Sequence, residues 1–217
     1  MGTATLVSPS SPDDERRLVA FGLSTDLIHT ALRPGMSRAT NRTSMALRST
    51  PGTDIYHESM EQLHQRLAET GWRLVYVGHQ PRLLHPDGLI SFTIASGTNV
   101  ASPDHRRMPR TRRKGKATRE SLAGPRAEMV GLFDVPEIVQ ARELVAAAAA
   151  APLWLLVHER TDRGLNLELS RPAEMTASGI VTDWDDRVII GFLDLDGDLS
   201  MFDDPGDDGI DVAVEPL

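Results

Sequence analysis

The sequence predicts an α+β protein. Two observations carry this. Apolar residues recur at helical spacing behind recognisable caps, and short apolar runs bounded by turn residues follow them, in that order, in each half of the 217-residue chain. A third is the composition: 40% hydrophobic and 25% charged residues suit a packed core and exclude collagenous, coiled-coil and wholly disordered chains.

Ser11-Pro12-Asp13-Asp14-Glu15 opens the first helix. Ser can cap, Pro occupies a first-turn position that needs no N–H, and three acids meet the positive helix end. Gly22 interrupts it. Ser24 restarts an amphipathic stretch over 25–33, with Leu27, Ile28, Ala31 and Leu32 on one side, and Pro34-Gly35 is expected to stop it. Residues 36–52 have no clean period and fit irregular helix or loop. Thr53 opens the clearest helix of this half, over 53–70: Tyr56, Met60, Leu63 and Leu67 form one stripe, and Gly71 falls where a left-handed C-terminal cap belongs. Residues 72–77 read as a strand. Leu83-Leu84 and 89–95 flank Pro86-Asp87-Gly88 as a β-hairpin.

From 96 onward the chain is rich in Ser, Gly, Pro, Thr and Arg and poor in large apolar residues, the composition of a linker or mobile arm. Helix returns at Asp134-Val135-Pro136-Glu137 and runs into six alanines ended by Pro152. Four short strands follow at 153–158, 164–169, 180–184 and 188–193, an antiparallel meander expected to pack on the alanine-rich helix. The predicted organisation is a helical and β-hairpin domain over 1–95, a basic linker over 96–133, helix plus meander over 134–195, and an acidic tail over 196–217.

The chain has no cysteine, so disulfides, thiolate metal sites and thiol nucleophiles are excluded. No apolar run approaches the roughly 20 residues that cross a bilayer, and the N-terminus has no basic region followed by an apolar stretch. A cytoplasmic protein of bacterial type, without membrane contact, is expected.

The net charge of −8 hides two opposed blocks. Residues 105–119 hold Arg106, Arg107, Arg110, Arg112, Arg113, Lys114, Lys116 and Arg119 with no acid among them, and include both lysines of the chain. Such density suits a polyanion, because phosphates attract cationic segments through counterion release. No aromatic residue interrupts the block, so phosphate neutralisation rather than base stacking is predicted. The bland alternative is a solvated loop balancing the acidic end, where twelve acids from Asp183 to Glu215 face only Arg187. That end either solubilises the protein or folds back on the basic block and competes with phosphates.

His57, Glu61 and His64 lie at i, i+4 and i+7 on the helix over 53–70, ligand types that suit zinc or iron. A metal-dependent hydrolase or nuclease using them is the alternative reading. The spacing is not that of a His-Glu-x-x-His protease, and the stripe lies beside the apolar one rather than within it. A third reading pairs the opposed charge blocks of neighbouring subunits in an oligomer.

Val188-Ile189-Ile190-Gly191-Phe192-Leu193-Asp194-Leu195-Asp196-Gly197-Asp198-Leu199 resembles the first motif of haloacid dehalogenase-type phosphotransferases, in which a buried strand delivers an Asp nucleophile. That family places a lysine and metal-binding acids downstream, and no Lys or Arg follows Asp198, so catalysis here is not expected. Asp194, Asp196 and Asp198 also lack the glycine and distal glutamate of an EF-hand. Glycine-rich nucleotide loops and the Gly-x-Ser-x-Gly elbow are missing. The expectation is a non-catalytic accessory or regulatory protein, without a cofactor, that contacts nucleic-acid phosphates; a protein partner or homo-oligomer is the further possibility.

Overall fold

The computed structural model describes residues 11–104, 106–123 and 136–195. The elements are α1 (Pro12–Ala20), α2 (Thr25–Thr40), α3 (Thr50–Ala68), β1 (Arg73–Val77), β2 (Gln80–Leu84), β3 (Ser91–Thr98), β4 (Arg110–Thr111), α4 (Lys116–Leu122), α5 (Pro136–Ala150), β5 (Leu153–Arg160), β6 (Gly164–Met175) and β7 (Val181–Asp194). The fold class is α+β. One mixed sheet runs in the order β1-β2-β3-β5-β6-β7, with β4 paired to β3. Neighbours are antiparallel except β3 and β5, whose parallel register from Ser91↔Leu153 to Ser96↔His158 joins the two halves of the chain.

The helix caps act as their residue types require. Ser11 Oγ accepts from the Asp14 amide and Ser24 Oγ from the Leu27 amide. Gly71 sits at φ +89 and ends α3, with the Trp72 amide returning to the Leu67 carbonyl. α2 does not stop at Pro34-Gly35 but continues to Thr40. Pro34 is exposed, so the carbonyl it cannot serve is left to solvent. Gly35 lies where α2 crosses α3: a Cβ there would stand 3.0 Å from Ile55 Cα and 3.1 Å from the Asp54 carbonyl. The pair that reads as a stop is instead the contact between two helices.

Helices α1 to α3 cover one face of the sheet. Leu18, Leu32, Ile55, Leu63 and Leu67 meet Phe92, Ile94, Trp154, Leu156, Leu167 and Ile190 in one core drawn from both halves. On the opposite face the Ala148 and Ala151 region packs on Val75 and Leu84. The alanine-rich helix thus covers β1 and β2, not the C-terminal strands it was expected to meet. Small side chains let its backbone approach the sheet closely.

The expected four-stranded meander is a three-stranded one. The stretches 180–184 and 188–193 are a single strand, β7, paired with a longer β6 through several register shifts. Asp185-Asp186-Arg187 looks like a turn but lies within this edge strand, where charged side chains are tolerated. Asp185 pairs with Arg171 at 3.2 Å, and Asp186 binds Arg17 of α1. Arg187 and buried Glu168 form a forked pair, 2.7 and 3.2 Å, that Ser170 completes with a 2.7 Å hydrogen bond.

Candidate anion-binding face

The chain leaves β3 through a turn in which Asn99 and Ala101 adopt φ of +59 and +54. This turn is held by carboxylates rather than by glycine. The Asn99 and Val100 amides donate to Glu159 and the Ala101 amide to Glu168 at 2.7 Å. The basic segment then comes back across the sheet, so the stretch read as a free linker is tied down through residues 106–123.

Its anchors are mostly backbone groups. Arg110 and Thr111 pair with Thr98 and Gly97. Trp184 Nε1 donates to the Pro109 carbonyl at 3.0 Å, and the Lys114 amide to the Gly179 carbonyl at 2.7 Å. The segment ends in α4, whose Ala117 and Thr118 are buried, and Arg119 donates to the Ala177 carbonyl. Pro109, Thr111, Ala117 and Thr118 face in, while Arg106, Arg107, Arg110, Arg112, Arg113, Lys116 and Arg119 are exposed. Neutral, mostly small residues dock and cations point out, giving a ribbon of fixed shape.

Few acids claim these cations. Arg107 meets Asp104 at 3.8 Å and Lys116 meets Glu120 at 3.4 Å, both exposed pairs of little energetic weight. The described part of the acidic block is engaged elsewhere, Asp185 with Arg171, Asp186 with Arg17 and Asp194 with Arg163. Asp196, Asp198 and the remaining tail lie outside the described residues, as does the predicted cap at Asp134. Asp194, the first acid of the phosphotransferase-like motif, ends an edge strand on an arginine.

Beneath the ribbon lies a cleft of about 280 Å³, between the first turn of α3 and the carboxyl ends of β3 and β5. Ser49, Gly52, Thr53, Tyr56 and His57 line it from the helix side, Ile94, Ala95 and Ser96 from β3, His158 from β5, and Arg112 and Lys114 from the ribbon. None of these residues is acidic. His158 is 3% exposed, and among the described residues its Nδ1 has no hydrogen-bond partner. Burial, with Lys114 and Arg112 nearby, pushes its imidazole down to about 4. Burial, with Arg112 beside it, brings the Lys114 ammonium down to about 8. Burial also raises the Tyr56 phenol. Desolvated donors that face one another without a counter-charge favour an anion between them.

The structure therefore brings together Arg112, Lys114 and His57, drawn from two separate sequence candidates, and adds His158 and Tyr56, which no motif marked. Glu61 and His64, on the same helix as His57, do not line this cleft. The seven-residue step from His57 to His64 spans about 10 Å along a helix, so one face does not make one coordination sphere. Among the described residues no group of three His, Asp or Glu is placed to hold a metal ion. A more open groove of about 700 Å³ lies along Pro34, Ser37, Arg38, Asn41 and Arg42, but its arginines are taken by Glu58 and Asp54.

No protein-family model, curated protein or solved structure matches the chain. Among the described residues no helix is long and apolar enough to cross a membrane.

Proposed function

We propose that this protein is a non-catalytic accessory or regulatory factor that holds nucleic acid by its phosphates, through Arg106, Arg107, Arg110, Arg112, Arg113, Lys116 and Arg119. The observation that carries this reading is the anchoring of the ribbon. Hydrogen bonds from its backbone to β3, Trp184 and Gly179 hold the segment in one shape, with these cations outward and, among the described residues, two of them facing nearby acids. A pre-shaped cationic edge binds a phosphate backbone at a smaller entropic cost than a coil that must order on contact.

With no aromatic residue in the ribbon, contacts go to phosphate and sugar, and recognition depends weakly on base sequence. The acidic chain end is the natural competitor for these cations, and within its described part Asp185, Asp186 and Asp194 are already paired with arginines outside the ribbon. Titration of labelled duplex DNA, single-stranded DNA and RNA tests the reading. Replacing Arg106, Arg107, Arg113 and Lys116 by Ser should weaken binding at least about tenfold, because each lost phosphate contact removes released counterions. Unchanged binding in a variant that keeps its thermal stability would overturn it.

A further inference from the structure

We propose that the cleft beneath the ribbon is a binding site for a phosphomonoester group, held by Lys114, Arg112 and His158 against the amino end of α3. This inference does not rest on the ribbon reading: Lys114 and His158 line the cleft and take no part in that reading, and Arg112 is the residue the two share.

Two independent features converge there. The first is the start of α3, a 19-residue helix whose initial turn supplies Ser49, Gly52 and Thr53 to the cleft. Ser49 makes no side-chain cap, Pro51 has no N–H, and the Gly52 amide has no acceptor among the described residues. Helix amino ends with free N–H groups favour anions through both hydrogen bonding and the helix dipole. At Gly52 nothing lies within 4 Å of where a Cβ would stand, so a ligand can approach the backbone closely. The second is His158, nine-tenths buried or more, in register with Ser96, its Nδ1 unpartnered and its ring facing the cleft wall that Lys114 and Arg112 complete.

A buried imidazole nitrogen without a partner and a desolvated lysine without a carboxylate are both costly in an empty site. A bound anion supplies the lysine's missing counter-charge and gives the cleft-lining imidazole a polar neighbour. The donors on offer are an ammonium, a guanidinium fork, a helix amide, the imidazole and the hydroxyls of Ser49 and Ser96, those of Thr53 and Tyr56 being engaged with the Ser49 carbonyl and Thr93. They outnumber what a carboxylate's two oxygens can accept, and they suit a dianionic phosphoryl group with three terminal oxygens. A neutral imidazole can also accept a hydrogen bond from the P–OH of a monoanionic phosphate. The volume of about 280 Å³ takes the phosphoryl and a small part of what it is attached to, against the apolar wall of Ile94 and Ala95. The shared chemistry is a terminal phosphate, whether of a small metabolite or of a nucleic-acid end.

Calorimetric titration of the full chain, with NMR observation of the histidine rings, tests the proposal. The probes are inorganic phosphate, ribose 5-phosphate, and one short oligonucleotide with a 5′-phosphate or a 5′-hydroxyl. Phosphate should bind, should raise the titration point of the His158 ring, and should weaken at least about tenfold in Lys114→Gln and in His158→Gln. Arg66→Ser, exposed in the last turn of α3 and outside both the ribbon and the cleft, should leave phosphate binding unchanged. A preference for the 5′-phosphorylated strand that vanishes in Lys114→Gln assigns the site to nucleic-acid ends; ribose 5-phosphate binding without that preference assigns it to a metabolite. If phosphate and ribose 5-phosphate both fail to bind at about 10 mM, or bind equally to both cleft variants, the proposal is wrong. His158→Asn provides a second isosteric control should the glutamine variant fold poorly.

Discussion

The Lys114 amide donates a 2.7 Å hydrogen bond to the Gly179 carbonyl, and this contact between a loop and the turn joining β6 to β7 fixes where the cationic ribbon lies. Gly179 stands at φ +88, and a Cβ there would run into the Lys114 carbonyl oxygen. The backbone conformation and the close approach both require glycine. Gly179→Ala should therefore lower stability by about 1–3 kcal/mol in chemical denaturation and loosen the ribbon. Polyanion affinity should fall with it, although no charge has been removed. If the variant kept full stability and affinity, the ribbon would not be held at this point.

Glu168 is the second anchor of the same region. Wholly buried, it accepts from the Ala101 amide, Ser170 and both donor sites of Arg187. It closes the strained turn that sends the chain from β3 toward the ribbon. Glu168→Ala leaves Arg187 and an amide without their acceptor, and should cost about 3–5 kcal/mol in urea or thermal unfolding. The double variant Glu168→Leu with Arg187→Met should recover part of that loss. A single-variant cost below about 1 kcal/mol would show that the pair is not a structural tie.

His158 makes stability depend on pH. Its folded-state value near 4 lies below the ordinary 6.5, so between these limits the unfolded chain binds a proton that the folded chain does not. Stability then decreases as pH falls from about 6.5 toward 4, by at most about 3 kcal/mol, and this group has no effect well above 7. The groups facing it are Tyr56 and His57 from α3 and Arg112 and Lys114 from the ribbon. His29, also lowered by burial, adds to the same fall, so the measurement is the difference between the wild type and His158→Gln. The variant should show the shallower profile. Parallel profiles would mean that the imidazole is not held neutral.

At the crossing of α2 and α3, Gly35 lets the helices approach to the point where any side chain meets Ile55 and Asp54 backbone atoms. Gly35→Val should cost about 1–3 kcal/mol through overpacking. Pro34→Ala, one position earlier and exposed, should instead raise stability by restoring a helix hydrogen bond. Equal effects of the two substitutions, read from thermal unfolding, would contradict the assignment of the contact to Gly35.

Much of this fold was legible where local chemistry and tertiary structure agree. The Ser11 and Ser24 caps, the Gly71 stop and the hairpin turn at Pro86-Asp87-Gly88 all act through neighbouring residues. The reading failed where a distant partner decides. Pro34-Gly35 looks like a helix end until α3 is placed beside it, and Asp185-Asp186-Arg187 looks like a turn until Arg17 and Arg171 take up its charge. The candidate site was half visible. The cations were plain from composition, but they are anchored through backbone groups and through Pro109, Thr111, Ala117 and Thr118, which carry no strand or helix pattern. His57 stands out in the sequence for its helical neighbours, whereas its cleft is shared with His158, which lies 101 positions on and lines the same cleft because β3 and β5 are adjacent.

The central claim is that an anchored cationic ribbon engages a phosphate backbone, and its most direct test is the salt dependence of nucleic-acid binding by the full chain. Plotted as log affinity against log salt, binding through four to seven ribbon cations predicts a slope of roughly −4 to −6, similar for unrelated sequences of one duplex length. Absence of binding at about 50 mM salt, or binding with a slope near zero, would contradict the account.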